Sequence, residues 1–255
     1  MVWRTARQLD GALAGRVLTR TDFRVPRFAA ADLTGQAVTG AISRGKHLLI
    51  RTGGGQSIHS HLKMDGSWRI RKGGGPAPRD FRVRVFLAND EWQAVGSLLS
   101  MVEILPTSEE DRLVGHLGPD LLGPDWDVAE AVRRLAQDPA RPAGAAILDQ
   151  RNLAGIGNVY KCEVLFLRGI NPWRPVGEIS DLEALARLSR RLLEANKNRS
   201  GHITTGNLRR GATHYVYGRR GLPCRRCGTP IRFDDGSSGD LQERITYWCP
   251  SCQPA

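Results

Sequence analysis

Four cysteines near the C-terminal end constrain this chain most tightly. Cys224-Arg225-Arg226-Cys227 is followed, 21 residues later, by Cys249-Pro250-Ser251-Cys252. Each knuckle puts two thiolates on one tight turn, and two knuckles can close around one metal ion. Soft thiolates select Zn²⁺, and a set of four leaves no position open for substrate, so one structural zinc is expected. Between the knuckles the sequence reads as a hairpin. Thr229-Pro230-Ile231-Arg232-Phe233 runs out, Asp234 to Gly239 turns, and Arg244-Ile245-Thr246-Tyr247-Trp248 returns. A segment of about thirty residues buries too little apolar surface to stay folded alone, so the metal supplies the stability. Two disulfides are the other use of four cysteines, in an exported protein. Arg219, Arg220, Arg225, Arg226, Arg232 and Arg244 crowd around the knuckles, where they are expected to hold guanidinium groups against phosphates.

A formal net charge of +11 over 255 residues points to a polyanionic partner, either nucleic acid or an acidic membrane surface. No run of 18 apolar residues occurs, so no membrane-spanning helix is expected. The first residues, Met1-Val2-Trp3-Arg4-Thr5-Ala6-Arg7, lack the apolar stretch of a signal peptide, and the cytosol is the expected compartment. Cys162, the fifth cysteine, reads as a reduced, buried core thiol.

Val2, Ala6, Leu9 and Leu13 recur at helical spacing up to Gly15, although no Ser, Thr, Asp or Asn caps this helix. From Val17 to Leu105 the character is that of short strands separated by glycines, which argues a β-sandwich or barrel. Phe81, Val83 and Val85 are expected inward, alternating with Arg82 and Arg84. Helices follow. Asp127-Val128-Ala129-Glu130 and Ser180-Asp181-Leu182-Glu183 read as capping boxes, and a third helix starts at about Asn158 and stops at Gly169. The expected class is α+β. It comprises an N-terminal β-sandwich with flanking helices over residues 1–122, a helical domain over 123–215 and a zinc-finger hairpin over 216–255.

The sharpest internal motif is Gly155-Ile156-Gly157-Asn158 ahead of a helix. Bare amides at a helix N-terminus beside a short polar side chain suit a phosphate. A simple helix–turn–helix corner, with glycines that only relieve crowding, accounts for the motif equally well.

Taken in order, several segments together resemble the formamidopyrimidine-DNA glycosylase and endonuclease VIII family of base-excision repair enzymes. They are Arg44-Gly45-Lys46, His61-Leu62-Lys63-Met64-Asp65-Gly66-Ser67-Trp68, Leu117-Gly118-Pro119-Asp120-Leu121-Leu122, the Gly155–Asn158 turn and the two cysteine knuckles. The resemblance covers essentially the whole chain. It implies a β-sandwich, a helix–two-turns–helix domain and a zinc finger, with damaged DNA as partner, one structural zinc and a monomer in the bacterial cytoplasm and nucleoid. By resemblance, Lys46 contacts phosphate and assists β-elimination, Asn158 binds phosphate, and Arg244 binds phosphate and assists δ-elimination. Met64 fills the gap left by an extruded base, with Lys63 beside it and His61 on the same DNA-facing stretch. His116 stands where endonuclease VIII relatives place a DNA-contacting arginine. The plainer readings are a solvated strand lysine for Lys46, core filling for Met64 and a surface charge for Arg244. The formamidopyrimidine branch carries Asp-Pro-Arg-Arg-Phe, absent from Gly96-Ser97-Leu98-Leu99-Ser100-Met101-Val102-Glu103. The resemblance therefore leans to endonuclease VIII and to oxidised pyrimidines.

Family members begin Met-Pro-Glu, and the proline's amine, freed by removal of methionine, attacks C1′ of the damaged nucleotide. Here Met1 joins directly to Val2-Trp3-Arg4-Thr5-Ala6, where similar members run Pro-Glu-Gly-Asp-Thr into the same stretch. The expectation is a glycosylase and lyase, shortened here by a misplaced start codon or by design, and inactive or impaired. A non-catalytic protein that binds lesions or abasic sites is the alternative. A zinc-ribbon adaptor for nucleic acid is a third reading, against which the β-domain with Lys46 and Met64 argues.

Overall fold

The computed structural model describes residues 1–73, 75–236 and 245–255. The chain divides into two compact units, Met1–His116 and Leu117–Ala255. The fold class is α+β, as expected. Among the described residues no helix is long and apolar enough to cross a membrane.

The first unit opens with α1 (Val2–Leu13). The strands are β1 (Arg20–Phe23), β2 (Val38–Arg44), β3 (His47–Thr52), β4 (Gln56–His61), β5 (Ser67–Lys72), β6 (Val83–Ala88), β7 (Trp92–Ser97) and β8 (Met101–Pro106), with a short α2 (Asp111–Val114) after them. They pair antiparallel in two four-stranded sheets, ordered β1-β6-β7-β5 and β2-β3-β4-β8. Ala6, Leu9, Ala12 and Leu13 of α1 share one core with Leu48, Ile50 and Ile58 of one sheet and Val85, Leu87 and Ala94 of the other. Side chains alternate along a strand, so burying Leu48, Ile50 and Ile58 leaves His47, His59 and His61 on the opposite face. Phe81 breaks the expected alternation and is 85% exposed. Asp80 accepts from the Arg82 amide through its side chain and from the Val83 amide through its carbonyl. This turn lifts Phe81 off the sheet, and the ladder begins only at Val83.

In the second unit, α3 (Val128–Leu135), α4 (Ala143–Leu148), α5 (Asn158–Arg168) and α6 (Leu182–Asn196) share a core that includes Leu135, Ile147, Val164, Leu165, Leu185 and Leu192. Asp127 caps α3 by accepting from the amides of Ala129 and Glu130. Asp181, and not Ser180, caps α6. Gly169 ends α5 with φ +69°, a conformation that a Cβ would strain. The antiparallel pair β9 (Arg232–Asp234) and β10 (Thr246–Trp248) forms the hairpin between the knuckles; half of its expected turn, 237–239, lies outside the described residues.

Helix α5 carries two fully buried charges. The Glu163 carboxylate accepts from the backbone amides of Tyr215, Val216 and Tyr217 at 2.8, 2.8 and 2.9 Å, and from the Thr204 hydroxyl. The Lys161 ammonium donates to the Ile245 carbonyl at 3.3 Å and to the Thr246 hydroxyl at 2.7 Å. One helix thereby fixes both the segment leading into the first knuckle and the returning strand. Removing the carboxylate strands three amides at roughly 1–3 kcal/mol each. Glu163→Ala should lower the thermal midpoint of the Leu117–Ala255 unit by many degrees, read by circular dichroism. An unchanged midpoint would show that these amides find other acceptors.

Candidate metal centre and nucleic-acid interface

The Sγ atoms of Cys224, Cys227, Cys249 and Cys252 all lie within 4.8 Å of one another. Three of the separations are 3.9 Å (Cys224–Cys252), 3.5 Å (Cys227–Cys249) and 3.5 Å (Cys227–Cys252). Four sulfurs placed tetrahedrally at about 2.3 Å from a zinc ion stand about 3.8 Å apart. A disulfide needs about 2.0 Å, so the alternative use of these cysteines is not the one adopted. Backbone amides of Arg226 and Cys252 point at the sulfurs of Cys224 and Cys249, both at 3.4 Å, and such donors favour thiolate. Hydrogen bonds from Thr229 bring the Cys227 thiol down to about 6, whereas burial pushes Cys249 and Cys252 up. Four sulfurs at this spacing can hold one metal ion. Gln253 locks the second knuckle to the helical core, donating to the Ile170 carbonyl and accepting from the Cys249 amide.

Several arginines expected to face phosphate are engaged within the unit. Arg226 donates to the carbonyls of Phe166 and Leu167 and lies over the Phe166 ring, capping the end of α5. Arg225 donates to the carbonyls of Gly211 and His214, and Arg219 to those of Tyr215 and Pro223. Arg220 lies over the Phe233 ring. Near a cluster that must stay rigid, guanidinium groups serve as multivalent caps for carbonyls. Arg244 lies outside the described residues.

At the other end of α5, Gly157 is an extended N-cap with no side-chain cap, and the first turn carries no acidic residue. The Asn158 Nδ2 donates to the Ile245 carbonyl at 2.7 Å, so the motif faces the returning strand of the hairpin.

In the first unit, Lys46 sits half-buried at the β2–β3 turn, after Gly45 with φ +58°. Beside it the outer face of the sheet gathers four imidazoles. His47 Nδ1 and His59 Nε2 are 2.9 Å apart and share one proton, and their rings stack at 5.1 Å. His61 and His116 meet His47 edge-on at 5.3 and 6.4 Å. His61 Nδ1 accepts from the Lys63 amide at 3.1 Å, which leaves the proton of the neutral ring on Nε2. Met64 follows on the β4–β5 turn, 89% exposed, so it fills no core. Lys63 takes φ +47°, and a Cβ on Gly66 would come within 2.5 Å of the Leu62 carbonyl oxygen, so this turn is tightly held.

Models of two families match the chain: the formamidopyrimidine-DNA glycosylase N-terminal domain over residues 2–96 and the formamidopyrimidine-DNA glycosylase H2TH domain over residues 117–203. The chain belongs to the formamidopyrimidine-DNA glycosylase family. Its enzyme class is bifunctional DNA glycosylase and abasic-site lyase. A protein of Streptomyces coelicolor named "Probable endonuclease 8 2" is 56% identical over 259 residues, covering 99% of this chain and 92% of that one. A DNA-(apurinic or apyrimidinic site) lyase of Mycolicibacterium smegmatis is 48% identical, covering 100% of this chain and 97% of its own. Among solved structures, Lactococcus lactis formamidopyrimidine-DNA glycosylase, bound to DNA with an abasic site, superposes with a TM-score of 0.81. It is 25% identical and covers 100% of this chain and 98% of that one.

Within this glycosylase fold, Lys46, His61, Lys63, Met64 and His116 lie in the first unit and Asn158 in the second. Sequence reading passed over His47 and His59, although alternate positions on β3 and β4 carried the signal. Burial brings the His47 imidazole down to about 4, helped by the neighbouring His59, His61, His116 and Lys46. An unfolded imidazole protonates near 6.5, so between about 6.5 and 4 the unfolded state binds more protons. Stability of this unit is therefore full above about pH 6.5 and is lost as pH falls towards 4. Hydrogen exchange of the β3 and β4 amides should accelerate through that window beyond the chemical rate, and His47→Gln should flatten the effect. An identical slope in the variant would remove His47 from the account.

Proposed function

We propose that this chain is a base-excision repair glycosylase and abasic-site lyase acting on oxidised bases, pyrimidines in preference, in damaged DNA. The observation that carries the reading is the β4–β5 turn. An apolar side chain 89% exposed on a rigid turn, flanked by Lys63 and beside Lys46 and His61, suits an apolar insertion between bases with phosphates gripped on either side. Lys46, His61, Lys63, His116, Asn158 and Arg244 supply the contacts to DNA. Met64 occupies the gap, and Lys46 and Arg244 assist β- and δ-elimination. Zinc fills the four-cysteine cluster as a structural ion, with no substrate position. The protein acts as a monomer in the bacterial cytoplasm, at the nucleoid. Residues 1–122, 123–215 and 216–255 act as sandwich, helix–two-turns–helix and finger.

The chemistry of the family, as the resemblance implies it, needs an amine at C1′ of the sugar. The amine's lone pair forms the new C–N bond as the base departs with the glycosidic electron pair; the C1′–O4′ bond then opens, its electron pair taking a proton at O4′, and the Schiff base so formed acidifies C2′ for elimination of the 3′ phosphate. The phosphate grip lies in residues present here. Preceded by Pro-Glu-Gly-Asp-Thr, Val2 onward should cleave abasic-site DNA and give an adduct trapped by borohydride. The 255-residue polypeptide itself should bind the same DNA. Efficient trapping by the 255-residue polypeptide, abolished by Lys46→Ala, would move the nucleophile to the strand lysine.

Met64→Ala should weaken binding to an abasic-site duplex more than binding to an undamaged one, because only the former has a gap to fill. Equal losses on both would assign Met64 another role. Elemental analysis should find about one zinc per chain, lost together with DNA affinity in Cys249→Ser.

A further inference from the structure

Lysine is among the residues most rarely buried in full, yet Lys161 is 0% exposed, and its ammonium donates to one carbonyl and one hydroxyl on the same short strand. The carbonyl is that of Ile245, which the Asn158 amide also reaches, at 2.7 Å against 3.3 Å for Lys161 Nζ. Asn158 and Lys161 stand one helical turn apart on the same face of α5, and both aim at a single oxygen. Asn158 Oδ1 is buried without a partner. As it stands, the amide is occupied inside the protein. When the side chain turns towards a phosphate, the hydrogen on the Ile245 carbonyl goes with it, and a carbonyl that loses its donor carries a cost.

We propose that Lys161 is a positioning residue that takes over the Ile245 carbonyl when Asn158 turns its amide to a DNA phosphate. The inference rests on the phosphate-binding role given to Asn158 above. Lys161 touches no DNA. Its ammonium has three donors, and it already lies within hydrogen-bond reach of the oxygen that Asn158 gives up. The carbonyl thus stays paired in the free and bound states, and Asn158 can exchange partners at little cost. Without Lys161, Asn158 is held to Ile245 in the free protein, and binding must leave that oxygen unpaired.

A double-mutant cycle separates this from a purely structural role. The probe is a duplex oligonucleotide with one stable abasic analogue, titrated with wild-type chain, Lys161→Met, Asn158→Ala and the double variant, with zinc content checked for each. Lys161→Met should weaken binding by about tenfold, the order of one unpaired carbonyl. In the Asn158→Ala background the same change should have no further effect, because Ile245 is then equally unpaired in both states. Additive losses, or no loss from Lys161→Met alone, would overturn the proposal. Thr246→Val supplies an arm that does not depend on Lys161→Met folding. It removes the hydroxyl and leaves the ammonium on the Ile245 carbonyl, so affinity should stay within about twofold. A loss as large as that of Lys161→Met would mean that Lys161 merely holds the strand. Salt-insensitive binding by the wild-type chain would defeat the phosphate reading itself, whereas salt-dependent binding with additive losses defeats only the part given to Lys161.

Discussion

Burial of two opposite charges on α5 is the constraint on which the second unit depends. Glu163 gathers three consecutive amides, and Lys161 holds the start of β10. A charge taken out of water is tolerated only where hydrogen bonds replace the solvent, and both groups meet that condition with backbone partners from far along the sequence. Backbone held this way has little freedom to slide. The four sulfurs consequently sit at tetrahedral spacing, and the N-terminus of the same helix lies against the hairpin. The cysteine cluster, the hairpin and the Asn158 turn all hang on one helix.

The first unit solves a different problem. Its sheet face around Lys46 carries four imidazoles, of which His47 and His59 share a proton in a desolvated pair. Burial disfavours charge on His47, His59 and His61, which line the face with donors and acceptors without adding to the local positive charge. The charge that remains, on Lys46 and Lys63, is concentrated beside the Met64 turn. Rigid backbone there matters more than sequence composition, since an exposed methionine on a loose loop would cover itself.

Much of this was legible in the sequence because it follows from local rules. The cysteine spacing, the Asp127 cap, the stop at Gly169 and the short strands separated by glycines each depend on a few neighbouring residues. The misreadings share a cause. Phe81 fits an alternating pattern, but the Asp80 turn that removes it from the sheet is a matter of backbone hydrogen bonding. Arg219, Arg225 and Arg226 look like phosphate ligands by type and position, yet carbonyls from elsewhere in the unit claim them. Lys161 drew no reading at all, because the strand that covers it returns more than eighty residues later. Partners distant in sequence leave no trace in local pattern.

We propose two DNA-binding surfaces, each within its own unit: the Lys46–Met64 face of the first and the N-terminus of α5 in the second. Amide hydrogen exchange, measured with and without an abasic-site duplex, tests it most directly. The account predicts added protection at residues 61–66 and 157–160 with the abasic duplex, and weaker protection at 61–66 with an undamaged one. Protection confined to the outer face of α6, or equal at 61–66 for both duplexes, would contradict it.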